Sequence, residues 1–203
     1  MAYLLGLKLD MSQVFDPETG KVSPVTLVSL KSCRVVNIKS LDNGKTKIWI
    51  GLSSAKHPKK PMKGIIKGTS VPRYFISVDN FNDSLKVGDP IDSSLLTKGS
   101  MLTICSVSKG KGFQGVFRRY NFRGMGGRTH GASNKERAIG SIGSGTTLGR
   151  VFKNQKMAGR MGGNRKTISG VKLVDIVSND LIALKGSIPG ARNSLVIIND
   201  ASK

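Results

Sequence analysis

The chain has 203 residues, of which 33 are Lys or Arg and 12 are Asp or Glu, so its formal net charge is +21. Hydrophobic residues make up 38% of the sequence, which suffices for one domain with an elaboration or for two small domains. No apolar run has the length of a membrane span, and no basic leader precedes Asp10. We therefore expect a cytosolic protein that binds a polyanion and has no membrane partner.

In chain order, short runs rich in β-branched residues alternate with turn signals, which is typical of antiparallel strands. Turns are indicated by the sequence DPETG at 16–20 and by DNG at 42–44. Strands are predicted at 3–9, 12–15, 22–30, 33–39, 45–52, 71–78, 101–107, 171–177, 181–185 and 195–198. Short connections between strands favour an antiparallel sheet or barrel over βαβ units.

The predicted strands suggest three parts. We expect residues 1–49 and 99–203 to form a discontinuous β-barrel domain, and residues 50–98 to form a small inserted lobe. The third part is a basic extension at 108–167, inserted within the barrel domain, which suits a segment that reaches into a partner. The proline-bounded basic loop at 57–64 is either a phosphate contact or a solvated connection, and the sequence favours neither.

The two cysteines and two histidines do not form a site of known chemistry. Cys33 and Cys105 lack metal-site spacing, and we expect both to be buried and reduced in the core. Neither His57 nor His130 has a carboxylate or cysteine placed to make a base, a catalytic triad or a metal site. We expect no catalytic residues, no metal, no cofactor and no small-molecule substrate.

The basic extension is the most unusual stretch. It carries fourteen of the thirty-three Lys and Arg residues and fourteen of the twenty-five glycines, and Glu136 is its only acid. Such a segment buries little and repels itself, so one interpretation is a disordered, solvated loop. Its internal position and interleaved aromatics favour nucleic acid, which neutralises the charge and offers bases for stacking. An amphipathic membrane helix is disfavoured by the glycine content.

Arginine binds phosphate through a bidentate fork and stacks on bases, whereas lysine acts as a point charge. His130 is more readily an RNA contact than an acid–base catalyst. Phe113, Phe117 and Phe152 are expected to be buried and to anchor the base of the extension. The predicted RNA-binding residues are Lys109, Lys111, Gln114, Arg118, Arg119, Arg123, Arg128, His130, Lys135, Arg137, Arg150, Lys153, Lys156, Arg160, Arg165 and Lys166.

One motif supports a rival hypothesis, that of a nucleotide-dependent enzyme. The sequence GKGFQG at 110–115 matches the dinucleotide fingerprint, follows a predicted strand, and has Glu136 at about the expected distance. The context does not fit. Residues 116–123 form a short, basic segment that is followed by glycines, so no crossover helix can pack on a sheet there. A second rival is a nucleic-acid chaperone.

Several ordered motifs carry a resemblance that covers the whole chain. They are KGKGFQGV at 109–116, THG at 129–131, GSIG at 140–143, VFKNQKMAGRMG at 151–162, MSQVFD at 11–16 and LKGSIPGA at 184–191. Together they resemble the bacterial-type family of large-subunit ribosomal protein number three. Several motifs in order over some two hundred residues are far more specific than any single one.

The resemblance implies a mainly β fold: a translation-factor-like antiparallel β-barrel, a small α+β inserted lobe and a long basic glycine-rich loop extension. It also implies a structural constituent of the large ribosomal subunit that is not an enzyme. The extension would reach through large-subunit (23S-type) rRNA toward the peptidyl-transferase centre, with early, assembly-directing binding. The implied neighbours are large-subunit proteins such as numbers fourteen and nineteen, in a cytoplasmic ribosome.

The chain departs from the family pattern at a few positions, most of them in the extension. These are Asp10 for a usual glycine, Tyr120 and Asn121 for His-Gly, Glu136 for His, Ile139 for Pro, Thr146 for a glutamine and Leu148 for Pro. Thr146 has no side-chain amide, so the glutamine methylation of some relatives is expected to be absent. The departures concern contacts of the extension's tip more than the fold.

Overall fold

The computed structural model describes residues 2–15, 20–40, 46–66, 70–79, 85–127, 130–131, 135–147 and 149–200. The turn predicted at 42–44 and all but the last residue of the turn predicted at 16–20 lie outside these residues. The chain divides into two compact units. We call Met1–Ser108 with Arg165–Lys203 the barrel unit, and Lys109–Asn164 the glycine-rich unit.

Strands dominate the barrel unit, whereas most described residues of the glycine-rich unit lie in neither a strand nor a helix. In chain order the elements are β1 (Ala2–Phe15), β2 (Val22–Ser29), β3 (Cys33–Ser40), β4 (Thr46–Ser54), α1 (Lys60–Ile65), β5 (Pro72–Asp79), a 3₁₀ turn (Ser93–Leu95), β6 (Met101–Val107), β7 (Phe113–Gln114), α2 (Val116–Tyr120), a 3₁₀ turn (Gly145–Thr147), β8 (Gly159–Arg160), β9 (Arg165–Ser178), β10 (Leu181–Lys185) and β11 (Leu195–Asp200). The predicted mainly β class is confirmed.

Six strands form a closed barrel in the order β1–β11–β6–β9–β10–β2, and every pairing in it is antiparallel. Ring closure is possible because β1 is long enough to pair with β11 through its first half and with β2 through its second. A shift in register between Lys8 and Met11 marks a bulge, which explains why the sequence suggested two separate strands at 3–9 and 12–15.

The remaining long strands form a three-stranded antiparallel sheet in the order β3–β4–β5. The segment after β5 covers the outer edge of β3: Ile91 N donates to Cys33 O at 3.0 Å, and Val35 exchanges backbone hydrogen bonds with Gly88 and Asp89. The barrel domain expected from the sequence includes β3, and β4 up to residue 49, whereas both strands pair within this sheet. Strand propensity does not encode partners. The proposed three-part division of the chain stays a prediction.

One apolar core lies inside the barrel unit. It draws on barrel strands and on the three-stranded sheet alike; Leu4, Leu173 and Ile50, for example, are fully buried. Cys33 and Cys105 are free and buried, as predicted. Burial raises the pKa of the Cys33 thiol to about 11, because the thiolate would lose its hydration.

The start of β9 decides where the basic extension ends. Backbone pairing joins Cys105 to Thr167, Ser106 to Lys166 and Val107 to Arg165, so the barrel ladder begins at Arg165. The sequence predicted this strand only from residue 171 and assigned 165–167 to the extension. The cations at the start of β9 are exposed and show no alternation of apolar and polar residues from which a strand could be recognised. The ladder still forms there, because its hydrogen bonds need only backbone groups.

Candidate nucleic-acid interface

The two arms of the glycine-rich unit are clamped together by backbone hydrogen bonds. Lys111 N donates to Met161 O and Met161 N donates to Gly112 O, both at 2.9 Å. Beyond them, β7 pairs with β8 in antiparallel register, with Phe113 opposite Arg160. The side chain of Gln114 also donates to Lys111 O at 2.6 Å. This short hairpin-like base thus joins the two arms, both of which carry Lys and Arg residues.

Glycine is required at two close approaches in this unit. Gly162 has φ +72°, and a Cβ there would collide with the carbonyl oxygen of Lys109 in the opposite arm. Gly124 has φ +68°, and a Cβ there would collide with the carbonyl oxygen of Glu136 and the ring of Phe117. An L side chain is disfavoured at both positions by conformation and by space. Part of the glycine content therefore serves close backbone packing.

Helix α2 follows β7 directly and is only one turn long. It ends at Asn121, whose backbone is left-handed (φ 58°) and whose N–H donates to Phe117 O at 2.9 Å. The glycine motif at 110–115 therefore contains a two-residue antiparallel strand, Phe113–Gln114, and is followed by a five-residue helix, Val116–Tyr120. This is not the strand–turn–crossover helix of a dinucleotide site, so the motif match has no structural counterpart.

Arg119 differs from the other predicted RNA-binding arginines. Its guanidinium donates from Nη1 to Met157 O at 2.7 Å and lies 5.0 Å from the centroid of the Tyr120 ring. It is half-buried and packs at Gly159, so it ties α2 to the opposite arm. The sequence did not reveal this structural role, because the neighbouring Arg118 is the same residue type and is exposed.

Nearly all of the predicted RNA-binding side chains are exposed. Gln114 and Arg119 are half-buried, and Arg128 lies outside the described residues. The last two, Arg165 and Lys166, lie in β9 and so belong to the barrel unit. The exposed set is Lys109, Lys111, Arg118, Arg123, His130, Lys135, Arg137, Arg150, Lys153, Lys156, Arg160, Arg165 and Lys166.

Two concave regions gather some of these residues. Lys111, Gln114, Arg118 and Met161 line a cavity of about 420 Å³ at the base of the glycine-rich unit. The second, of about 380 Å³, includes in its lining Arg123 and Lys135 together with the apolar side chains of Phe122, Met125 and Ile139. The first combines cations with an amide, which suits a phosphate. The second combines cations with an apolar wall, which suits an unstacked base.

The predicted burial of two phenylalanines is wrong. Phe113 is 77% exposed and Phe152 is 54% exposed, whereas Phe117 is half-buried against Gly124. The two-residue β7–β8 pair offers no second layer that could cover Phe113. The Arg150 guanidinium lies 6.0 Å from the Phe152 ring centroid, so both a cation and an aromatic face are presented to solvent there.

Two further positions where the chain departs from the resembling family can be placed, in addition to Tyr120, Asn121, Glu136 and Ile139 above. Asp10 lies in β1 and forms an ion pair with Arg192. A hydrogen bond from Met11 N, together with Arg192, lowers the pKa of the Asp10 carboxyl. Thr146 is exposed in the 3₁₀ turn Gly145–Thr147. Leu148 lies outside the described residues.

Within the described residues, no group of three or more His, Cys, Asp or Glu side chains could hold a metal ion. His57 and His130 are both exposed. In the same part of the chain, no helix is long and apolar enough to cross a membrane.

Comparison with known proteins agrees with the motifs. The family model described as Ribosomal protein L3 matches residues 63–178. A protein of Herpetosiphon aurantiacus named large ribosomal subunit protein uL3 is 39% identical over 206 residues, covering 98% of this chain and 96% of its own length. Relatives of the same name from Acidothermus cellulolyticus and Dehalococcoides mccartyi are 38% and 39% identical, cover 98% of this chain each, and are themselves covered to 92% and 98%. The resemblance seen in the sequence is confirmed, and the chain belongs to the ribosomal protein L3 family.

Proposed function

We propose that this chain is a structural constituent of the large ribosomal subunit and binds 23S-type rRNA through the cations of the glycine-rich unit. The relatives above carry the name of a large ribosomal subunit protein. The observation that carries the proposal is that this unit exposes its charged side chains and buries almost no apolar ones. Its cations are almost all exposed, and Val116 is the only buried residue in its described part. A surface of this kind neutralises phosphate.

The proposed mechanism is charge neutralisation combined with bracing. Exposed arginines such as Arg118 and Arg123 can hold phosphates through bidentate forks, and lysines such as Lys111 add point charges. The exposed rings of Phe113 and Phe152 can stack on unpaired bases. Segments of RNA that repel each other would thereby be held side by side. In the family this role lies near the peptidyl-transferase centre and begins early in assembly.

The same proposal assigns partners and location. The partners are large-subunit rRNA and neighbouring large-subunit proteins, of which family numbers fourteen and nineteen are the first to test. The place of action is the cytoplasmic ribosome. We propose no catalytic role, no cofactor and no small-molecule substrate, and we keep the three-part division into barrel domain, inserted lobe and basic extension as a working description.

Cosedimentation tests the proposal directly. The tagged chain should remain with large ribosomal subunits through a high-salt wash, because a protein interwoven with rRNA dissociates more slowly than one bound at the surface. A variant lacking the exposed cations Arg118 and Arg123 should be incorporated less efficiently. A chain that binds RNA but separates from the subunits in salt would instead be a nucleic-acid chaperone, and the proposal would fail.

A further inference from the structure

The outer face of the β3–β4–β5 sheet carries an aromatic pair that the proposed function does not use. Strand alternation places Trp49 of β4 and Phe75 of β5 on the same face, in diagonal positions, because Trp49 is opposite Ser77 and Phe75 is opposite Gly51. Their ring centroids lie 5.9 Å apart, with only 12° between the ring planes. The two rings therefore form an offset stack across the strands.

One side of this face is covered and the other is open. Asn37, which pairs with Trp49 in the sheet, donates from its side chain to the carbonyl of Ile65 at the end of α1. Helix α1 thus approaches the sheet from the β3 side, and Trp49 is only partly exposed. Phe75 is 43% exposed, and among the described residues no strand pairs with the outer edge of β5. Trp49 therefore covers one side of the Phe75 ring, and nearly half of Phe75 remains exposed.

The charges around the stack are mostly positive. Alternation along the three strands places Lys39, Lys47 and Arg73 on the face that carries the aromatic pair. Asp79 is the one acid among the β3–β5 residues on this face, and it lies 3.8 Å from Lys47. Lys39 and Arg73 are exposed, and the Arg73 guanidinium lies 5.1 Å from the centroid of the neighbouring Tyr74 ring. An aromatic surface between cations suits a strand of single-stranded nucleic acid, whose bases stack while its phosphates meet the charges.

We propose that this face is a second RNA-binding site, which takes an unpaired base of a single-stranded RNA segment on the open side of the Trp49–Phe75 stack. Lys39 and Arg73 hold the flanking phosphates. The inference rests on the proposed function, because it takes RNA as the partner of the chain. A protein partner is disfavoured here, since the open part of the face offers one aromatic ring between cations and no broad apolar patch.

Trp49 is the only tryptophan in the chain, so its fluorescence reports on this face alone. The probe is a single-stranded oligoadenylate of about eight nucleotides, a length in the range that one such site covers. Titration into the full-length protein should quench and shift Trp49 emission as a base covers the stack. A duplex RNA of equal charge should bind to the protein without quenching Trp49, because its bases are not available for stacking.

Variants at Phe75 give the decisive comparison. Phe75→Ala should raise the half-saturation concentration of the quench about fivefold to a hundredfold, and Phe75→Tyr should keep it near the parent value. The matched control is Val87→Ala, at a residue of the barrel unit that is 46% exposed and is not in this sheet. Thermal unfolding of all three should stay close to that of the parent chain, since exposed positions contribute little to stability.

The outcomes separate this inference from the proposed function. If rRNA binds with a normal salt dependence while Trp49 emission stays constant, the second site is overturned and the proposed function stands. If neither rRNA nor the oligonucleotide binds, both fail. Equal quenching by duplex and single strand would overturn base stacking. Quenching by purified large-subunit proteins, with none by RNA, would assign the face to a protein partner and overturn the proposal.

Discussion

The barrel unit and the glycine-rich unit differ in how much apolar surface they bury. The barrel unit buries apolar side chains from two sheets in one core, with residues such as Leu4, Ile50 and Leu173 fully buried. In the described part of the glycine-rich unit only Val116 is buried, and the chain is held by a short hydrogen-bonded base and by ties such as Arg119 to Met157. One unit can stabilise itself by excluding water, and the other cannot.

The two units owe their order to different sources of free energy. Fixing a residue's backbone costs about 1 to 2 kcal/mol, and glycine loses the most freedom on ordering. Apolar burial offsets this cost in the barrel unit. In the glycine-rich unit the available compensation is neutralisation of a dense positive charge by a polyanion. We therefore expect changes in the core to alter stability, and changes in the exposed cations to alter binding.

The largest effect should come from truncation in the barrel core. Leu173→Ala removes a fully buried side chain in β9 and should lower the free energy of unfolding by about 2 to 5 kcal/mol, because transfer and cavity costs add. Chemical denaturation measures the change. The matched control is Ile142→Ala in the glycine-rich unit, where Ile142 is 43% exposed and the effect should stay within about 0.5 kcal/mol. Equal losses for the two would contradict the contrast between the units.

A smaller effect should appear at alkaline pH through Cys33 in the same core. Its pKa rises from the ordinary 9.0 to about 11 on folding, mainly because burial removes the hydration of the thiolate. Below pH 9 the thiol is protonated in both states, and stability is at its full value. As the pH rises from 9 toward 11 only the unfolded state loses the proton, so the free energy of unfolding falls by about 2 to 3 kcal/mol in total. Unfolding curves between pH 8 and pH 11 should show a steeper decline for the parent chain than for Cys33→Ala. Identical slopes would mean that the thiol is not desolvated.

Next in size is a backbone effect inside the glycine-rich unit. Gly162→Ala meets both a positive φ and the carbonyl oxygen of Lys109, and should destabilise the clamped base locally by about 1 to 3 kcal/mol. Amide exchange at Lys111 and Met161 should accelerate while the barrel strands keep their protection. Gly163→Ala is the control: it has a similar φ of +66°, but its nearest neighbour is the flexible side chain of Arg160 at 3.5 Å. Matching behaviour of the two variants would exclude a close-packing role for Gly162.

The smallest effect, and the most specific, concerns the salt dependence of RNA binding. Replacing Arg118 and Arg123 by Gln removes two exposed charges, and the slope of log affinity against log salt should become shallower by about 1.4 to 1.8. Filter binding of large-subunit rRNA at several salt concentrations measures the slope. Arg119 is left intact because it has a structural tie to Met157. Lys31→Gln with Lys86→Gln, at exposed cations of the barrel unit, should alter the slope less. An unchanged slope with weaker binding would mean that stacking carries the contact.

Much of the fold could be predicted from local sequence. β6 was predicted at 101–107 and β10 at 181–185, with the observed ends, because β-branched runs bounded by turn residues specify a strand locally. Partner choice is not local. β3 had the right limits within a residue or two, yet it pairs with β4 in a separate sheet. The first residues of β9, from Arg165, were missed because their cations resemble the extension.

The candidate site was predictable in composition but not in detail. Exposure of cations such as Arg118 and Lys153 follows from charge alone, since an unpaired charge is costly to bury. Arg119 has a structural role that the exposed Arg118 lacks, because Arg119 donates to the carbonyl of Met157, thirty-eight residues further along the chain. No local sequence pattern encodes so distant a contact. Phenylalanine is usually buried, and the prediction for Phe113 rested on that tendency. The strand that carries it has only two residues and provides no second layer to cover the ring.

Pairing of β1 with β11 has a consequence for how the chain is made. Ala2 lies opposite Asp200, and Leu7 lies opposite Leu195, so the ring closes through residues that are far apart along the chain. During vectorial synthesis β1 must wait with one open edge until β11 emerges, and contacts so distant in sequence form slowly. By then the whole polycationic segment has left the exit tunnel. Until then, strand mispairing at the open edge competes with ring closure.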